Sequence, residues 1–176
     1  MPESPSPLPD SIGNEIAMIK MRQTLVMAVV VIGWLSISLS SALAQTDQDY
    51  LTYRQKLMAS NGDNMGAIGV ILKAKLPYTD HIAAHAQSIQ AASKLIEDAF
   101  KKEITEGKTD AKPDVWQDWD KFVDAAKKLE EESGKLAEVA KSGDMAAIAA
   151  QVKATGKACG DCHKPFRKPK EERFQR

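Results

Sequence analysis

From residue 47 onward, apolar side chains recur three and four positions apart, and no stretch alternates in the two-residue rhythm of a strand. Four helical segments are predicted. The first runs from about Asp47 to Lys75. Leu51, Met58, Met65 and Leu72 return every seven residues, with Arg54, Gln55, Ile68 and Gly69 between them on the same side. Asn61-Gly62 is a weak point in it, because glycine costs about 1 kcal/mol relative to alanine inside a helix. Pro77 stops it. The second runs from about Thr79, a suitable N-cap, to Phe100, with Ile82, Ala86, Ile89, Ala92/Ser93 and Ile96 on its buried face. A polar connection follows, from Lys101 to Lys112.

Pro113 stands at the first turn of the third segment. Val115, Trp116, Trp119, Phe122, Val123, Ala126, Leu129, Leu136 and Val139 mark its apolar side, and Ser142-Gly143 ends it. Asp144 caps the fourth, which carries Met145, Ile148, Val152, Cys159 and Cys162-His163 towards one side. Pro165 and Pro169 limit its end. Four amphipathic helices with short links bury their stripes against one another, so the expected fold is all-α, an antiparallel four-helix bundle. Bulky core residues are few and alanines many. A large apolar cofactor would supply the missing volume.

The first 44 residues do not belong to that pattern. Four of the eight prolines lie between Met1 and Pro9, and Met18 and Met21 are alternative starts. Lys20 and Arg22 precede an uncharged stretch whose centre, Leu25 to Leu35, is strongly apolar. It closes in Ser41-Ala42-Leu43-Ala44, a small-residue cleavage pattern. The expected division is a cleaved extension and signal peptide over 1–44, and a bundle over 45–176. An uncleaved anchor is the competing reading, but serines dilute the second half of the apolar run. Export places the mature chain in the periplasm, with no membrane association after cleavage.

Charge narrows the function classes. Lys plus Arg and Asp plus Glu both number 24, which excludes a polycation for nucleic acid. Six basic residues between His163 and Arg176 form a cationic end. They are a candidate docking surface for an acidic partner, or a solvated tail that offsets the helix dipole.

The chemistry concentrates in Cys159-Gly160-Asp161-Cys162-His163, which holds both cysteines of the chain. At about 100° per residue, the two thiols and the imidazole fall within an arc of roughly 100° on a helix. Two thiols can add to the two vinyl groups of a haem, and the adjacent imidazole reaches the iron from the same side. This is the attachment signature of c-type haem. A structural zinc site wants further ligands, and no second cysteine pair exists. A thioredoxin-like pair expects a βαβ pattern. A disulfide across so short a loop would stabilise little. His81 and His85, four residues apart, could share a metal but have no evident third ligand.

With Tyr53-Arg54-Gln55, Val115-Trp116 through Phe122, and Cys159 to His163 followed by Phe166-Arg167, the chain resembles the class II c-type cytochromes, the cytochrome c′ family. The resemblance implies one covalent haem c, carried by Cys159 and Cys162, with His163 as proximal iron ligand and Arg54 and Gln55 at the propionates. The family divides between high-spin members that bind small gases and a low-spin branch with a distal methionine. Met58 stands at the position resembling the distal one, one turn and about 6 Å beyond Arg54. Met65, about 10.5 Å further along the axis, is its rival. Met58 on iron implies the low-spin branch and a periplasmic one-electron carrier between redox partner proteins, monomeric or homodimeric. The alternative is high-spin binding of NO or CO. Nothing near Met58 offers an acid–base group, so enzymatic turnover is not expected.

Overall fold

The computed structural model describes residues 45–174. The expected leader over 1–44 lies outside the described residues, as does Arg176 of the basic end. Helix α1 spans Asp47–Ala74. It opens on a capping box that the helical pattern did not bring out: Asp49 N donates to Thr46 Oγ1 at 3.3 Å, and Thr46 N donates to Asp49 Oδ2 at 2.8 Å. The bond from Thr46 N, followed by one from Thr46 Oγ1 to Asp49 Oδ2 at 2.7 Å, holds the Asp49 carboxyl below its usual range. Lys75 ends the helix in the left-handed region, with φ 51°, and Leu76 N closes the last turn on Ile71 O at 3.0 Å. The helix runs unbroken through Asn61-Gly62, where the sequence suggests weakness.

The second predicted helix is split into α2, His81–Ser93, and α3, Ile96–Phe100. Ser93 Oγ donates back to Ile89 O at 2.7 Å, a bond that loosens the regular ladder. The break turns Leu95 outward and keeps Ile96, Ala99 and Phe100 buried. The helix also starts later than expected: Asp80 stands at the cap, without a side-chain bond, rather than Thr79. The third segment is likewise divided at Asp118, into α4, Asp114–Gln117, and α5, Trp119–Ala140. Asp144 caps α6, Met145–Phe166, as expected, accepting from Ala146 N and Ala147 N at 2.9 and 3.2 Å. Pro165 falls inside its last turn.

The long helices pack in chain order: α1 on α2, α2 on α5, α5 on α6. The result is an antiparallel four-helix bundle. Ile68, Ile82, Ile89, Leu136 and Ile148 are fully buried at its centre. Each such side chain contributes roughly 2 kcal/mol on removal from water. Towards the C-terminal end of α6 the core becomes aromatic. Phe122 lies 5.1 Å from Phe100 and 5.4 Å from Phe166, ring centre to ring centre. On α1 the buried face is Leu51, Arg54, Leu57, Asn61, Ile68 and Ile71. It is rotated from the expected stripe: Met58, Met65 and Leu72 are only partly buried, and Gly69 is exposed.

Glu132 fastens α5 to α6. Its carboxylate accepts from Gln151 Nε2 at 2.7 Å and pairs with Lys128 and Lys135 at 2.9 and 3.1 Å, while Thr155 Oγ1 donates to its carbonyl at 3.2 Å. Hydrogen bonds from Lys128, Gln151 and Lys135, in that order, move its pKa from 4.5 to about 2. Because the folded value lies below the unfolded one, the stabilisation is complete above the unfolded pKa and is lost as pH falls through the folded one. Both lysines are half exposed, so water screens the pairs. Glu132→Gln is expected to cost about 1 kcal/mol at pH 7. In denaturant titrations the difference from the parent should shrink as pH falls below 4.5 and vanish only below about pH 2; a difference independent of pH would refute this account.

Candidate functional site

A cavity of about 520 Å³ lies between α1 and α6. Cys159, Cys162 and His163 line it from α6; Arg54, Gln55 and Met58 line it from α1. All six residues singled out in the sequence therefore border one space. Met65 borders it as well, with its Cε 3.9 Å from where a Cβ on Gly156 would stand. The rest of the wall is largely apolar, with Phe100, Val115, Phe122 and Leu129 prominent. A mostly apolar cleft with a few polar groups suits a large flat ligand.

The α6 residues owe their positions to helix register. The cysteines are half-buried, and burial pushes both thiols up, Cys162 to about 11 with the neighbouring Cys159 adding to the effect. Both are free thiols, and they stay protonated at neutral pH. His163 lines the cavity and is an exposed residue. The protein around it, followed by the charges of Arg167 and Arg173, lowers its pKa, which favours the neutral imidazole that a metal requires.

Arg54 departs from the surface charge that a helix arginine ordinarily is, with only 3% of its surface exposed. Its Nε donates to Ala99 O at 2.7 Å and its Nη2 donates to Lys102 O. The guanidinium carbon sits 4.8 Å from the Phe100 ring centre and 5.6 Å from that of Trp116. Burial lowers its pKa, and Asp47 partly restores it. Nη1 is buried and has no partner. Gln55 Nε2 donates to Lys108 O at 2.7 Å. Both residues thus hold the Lys101–Lys112 connection as well as facing the cavity.

That connection is held from the other side too. Ala111 pairs with Arg167 in an isolated antiparallel bridge, Lys112 N donates to Phe166 O at 2.9 Å, and Arg167 Nη2 meets Asp110 Oδ2 at 3.1 Å. These bonds fix the chain just beyond His163. His81 and His85 stand elsewhere. His81 stacks on Tyr78, and His85 Nδ1 lies 2.8 Å from Asn64 Oδ1.

Asn61, a weak point of the helix by sequence, belongs to the cavity wall. It is 6% exposed, lines the cavity, and neither its Nδ2 nor its Oδ1 has a partner. The signal was available: Asn61 is seven residues after Arg54 and three after Met58, on the same face of α1.

The model of the family described as Cytochrome C′ matches residues 49–167. The chain belongs to the cytochrome c′ family. Cytochrome c′ from Rhodospirillum rubrum is 38% identical over 67% of this chain and 81% of that one. Cytochrome c-556 from Rhodopseudomonas palustris is 33% identical over 79% and 95%. Among solved structures, cytochrome c prime from Alcaligenes xylosoxidans superimposes in two gas complexes. A variant with nitric oxide gives a TM-score of 0.62 at 28% identity, covering 69% of this chain and 96% of that one. A carbon monoxide-bound variant gives 0.63 at 28%, covering 70% and 98%.

A cytochrome c′ carries one covalent haem c. The residues present fit it. Two free thiols and an imidazole with a lowered pKa form one edge of the cavity, and the orphaned Nη1 of Arg54 is a cationic donor suited to a carboxylate. Truncating Arg54 would strip the donor from one buried and one part-buried carbonyl and leave a void. Arg54→Ala is expected to cost about 3 kcal/mol of stability in chemical denaturation. A loss under about 0.5 kcal/mol, the size of an ordinary surface change, would contradict the structural role assigned to it.

Proposed function

We propose that this chain binds a diatomic gas, NO or CO, at a haem c held between α1 and α6, in a periplasmic cytochrome c′. Cys159 and Cys162 would carry the group, each S–H adding across a vinyl C=C to form one C–S and one C–H bond with nothing released. His163 would supply the proximal nitrogen, and Arg54 with Gln55 would hold the propionates. When bound, the group would supply a redox-active iron able to take a small ligand. The observation that supports gas binding is the wall facing His163. There Met58, an uncharged and flexible thioether only partly packed against the core, is the side chain that competes with an incoming ligand. The NO and CO complexes of the Alcaligenes protein lend the same reading support by kinship.

A second reading rests on that same methionine. If Met58 stays on the iron, the coordination is closed, as in the low-spin branch. A thioether is a soft donor that favours the ferrous state and raises the potential. The chain is then a one-electron carrier between redox partner proteins. Its own residues would contribute positioning and a dry surround. Neither reading calls for turnover of a substrate. Oligomeric state, monomer or homodimer, is independent of both.

The visible spectrum of the reduced protein separates the two. Gas binding predicts that CO changes the spectrum of the unsubstituted protein, and that Met58→Ala tightens binding at least tenfold by removing a competitor. The carrier predicts a sharp low-spin α band indifferent to CO until Met58 is replaced. Met65→Ala should leave either pattern intact. A protein whose intact mass exceeds the polypeptide by nothing, after expression in a host competent for c-type maturation, would overturn both.

A further inference from the structure

Small polar side chains buried in this bundle satisfy themselves locally, with one exception. Ser93 Oγ donates to Ile89 O at 2.7 Å, Ser133 Oγ to Leu129 O at 2.6 Å, and Thr155 Oγ1 to Gln151 O at 3.0 Å. Asn61 does nothing of the kind. It is as buried as they are, yet both ends of its carboxamide are unpaired. A buried amide without partners costs roughly 1–3 kcal/mol. Asparagine is also a poor choice for the middle of a 28-residue helix, where leucine would be favoured on both counts.

The position of Asn61 says where its partner must come from. Asn61 lines the cavity between the thioethers Met58 and Met65, which accept weakly and donate nothing, and the Asp63 carboxylate on the same wall makes no bond to it. No residue of the described chain reaches it. The haem macrocycle that the family carries presents an apolar face and edge to such a group. The free Nη1 of Arg54, two turns away and about 10.5 Å along the axis, is the donor suited to its carboxylates. What remains within the cavity is a small ligand on the Met58 side.

We propose that Asn61 Nδ2 donates a hydrogen bond to the diatomic gas bound on the Met58 side of the haem iron, and so sets how long that gas is retained. The inference rests on the gas-binding reading of the cavity and adds the polar recognition element that reading lacks. The ligand keeps its bond to iron and takes a proton-sharing contact at its outer atom. No electron or proton leaves the site. A donor there pulls charge onto the ligand, which weakens the C–O bond and strengthens the iron–carbon one.

The test uses ferrous CO adducts of the holoprotein, with infrared detection of the C–O stretch and stopped-flow measurement of CO release. It is run both in the parent and in Met58→Ala, so that competition by the thioether does not limit binding. Asn61→Leu, close in volume, should raise the C–O stretching frequency and speed CO release about tenfold, the ratio that one hydrogen bond of ordinary strength makes. Asn61→Gln, which keeps the donor on a longer arm, should fall between. Exchange into D2O should shift the C–O band of Met58→Ala and leave that of Met58→Ala/Asn61→Leu unmoved; this comparison stands even if Asn61→Leu alone folds poorly. CO bound with an unchanged stretch and release rate in every Asn61 variant would overturn the hydrogen bond while leaving the gas-binding reading intact. A changed midpoint potential with an unchanged stretch would assign the carboxamide to a propionate and overturn it likewise. No CO adduct even in Met58→Ala would remove the gas-binding reading, and this inference with it.

Discussion

The separation of α1 from α6 is set by polar ties to one connection, residues 101–112, that lies between them. Arg54 and Gln55 hold it from the α1 side through Lys102 O and Lys108 O, and Lys102 Nζ adds an ion pair with Asp47 at 2.6 Å. From the α6 side it is held through Lys112 N on Phe166 O, Lys168 N on Asp110 O, and the Asp110–Arg167 pair. Apolar side chains shrink an interior to close packing. Bonds to backbone carbonyls do not, because each has a fixed length. Where the bundle relies on isoleucine and leucine, it closes; where it relies on these ties, it leaves room for a prosthetic group.

The Arg54 guanidinium shows how one side chain serves both ends. Two of its nitrogens are committed to carbonyls at the end of α3, its face is covered by Phe100 and Trp116, and the third nitrogen is left over. A lysine could not divide itself in this way, since its donors radiate from a single atom. The stability of the loop and the polarity of the cavity are therefore coupled through one residue. Trp116 takes part as well, since its Nε1 donates to Phe100 O at 2.8 Å and so holds α3 against α4.

Much of this was legible in the order of residues. Cys159, Cys162 and His163 were readable because attachment of c-type haem depends on residue type and short spacing, both local. The four segments followed from period, and the Asp144 cap from composition. The failures have a common character. The divisions at Ser93–Leu95 and Asp118 arise from packing against other helices, which periodicity does not see. Met58 and Met65 share one hydrophobic stripe, and both stand at the margin of the cavity rather than in the closed core. Asn61 reads as a helix defect because helix propensity is local, whereas its burial comes from the assembled bundle. The commitment of Arg54 to Ala99 and Lys102 spans 45 and 48 residues of sequence, a distance at which no pattern rule operates.

One feature of the 101–112 connection reaches beyond any single residue in it. Its Gly107 turn, at φ 82°, belongs to neither bundle helix, and a surface connection tolerates insertion or deletion with small entropic penalty. Lengthening or shortening it would re-gauge the chamber while leaving the interlocked faces of α2, α5 and α6 as they are. Chamber width is thus an evolvable setting, adjustable in steps of one residue at the exposed Gly107 turn.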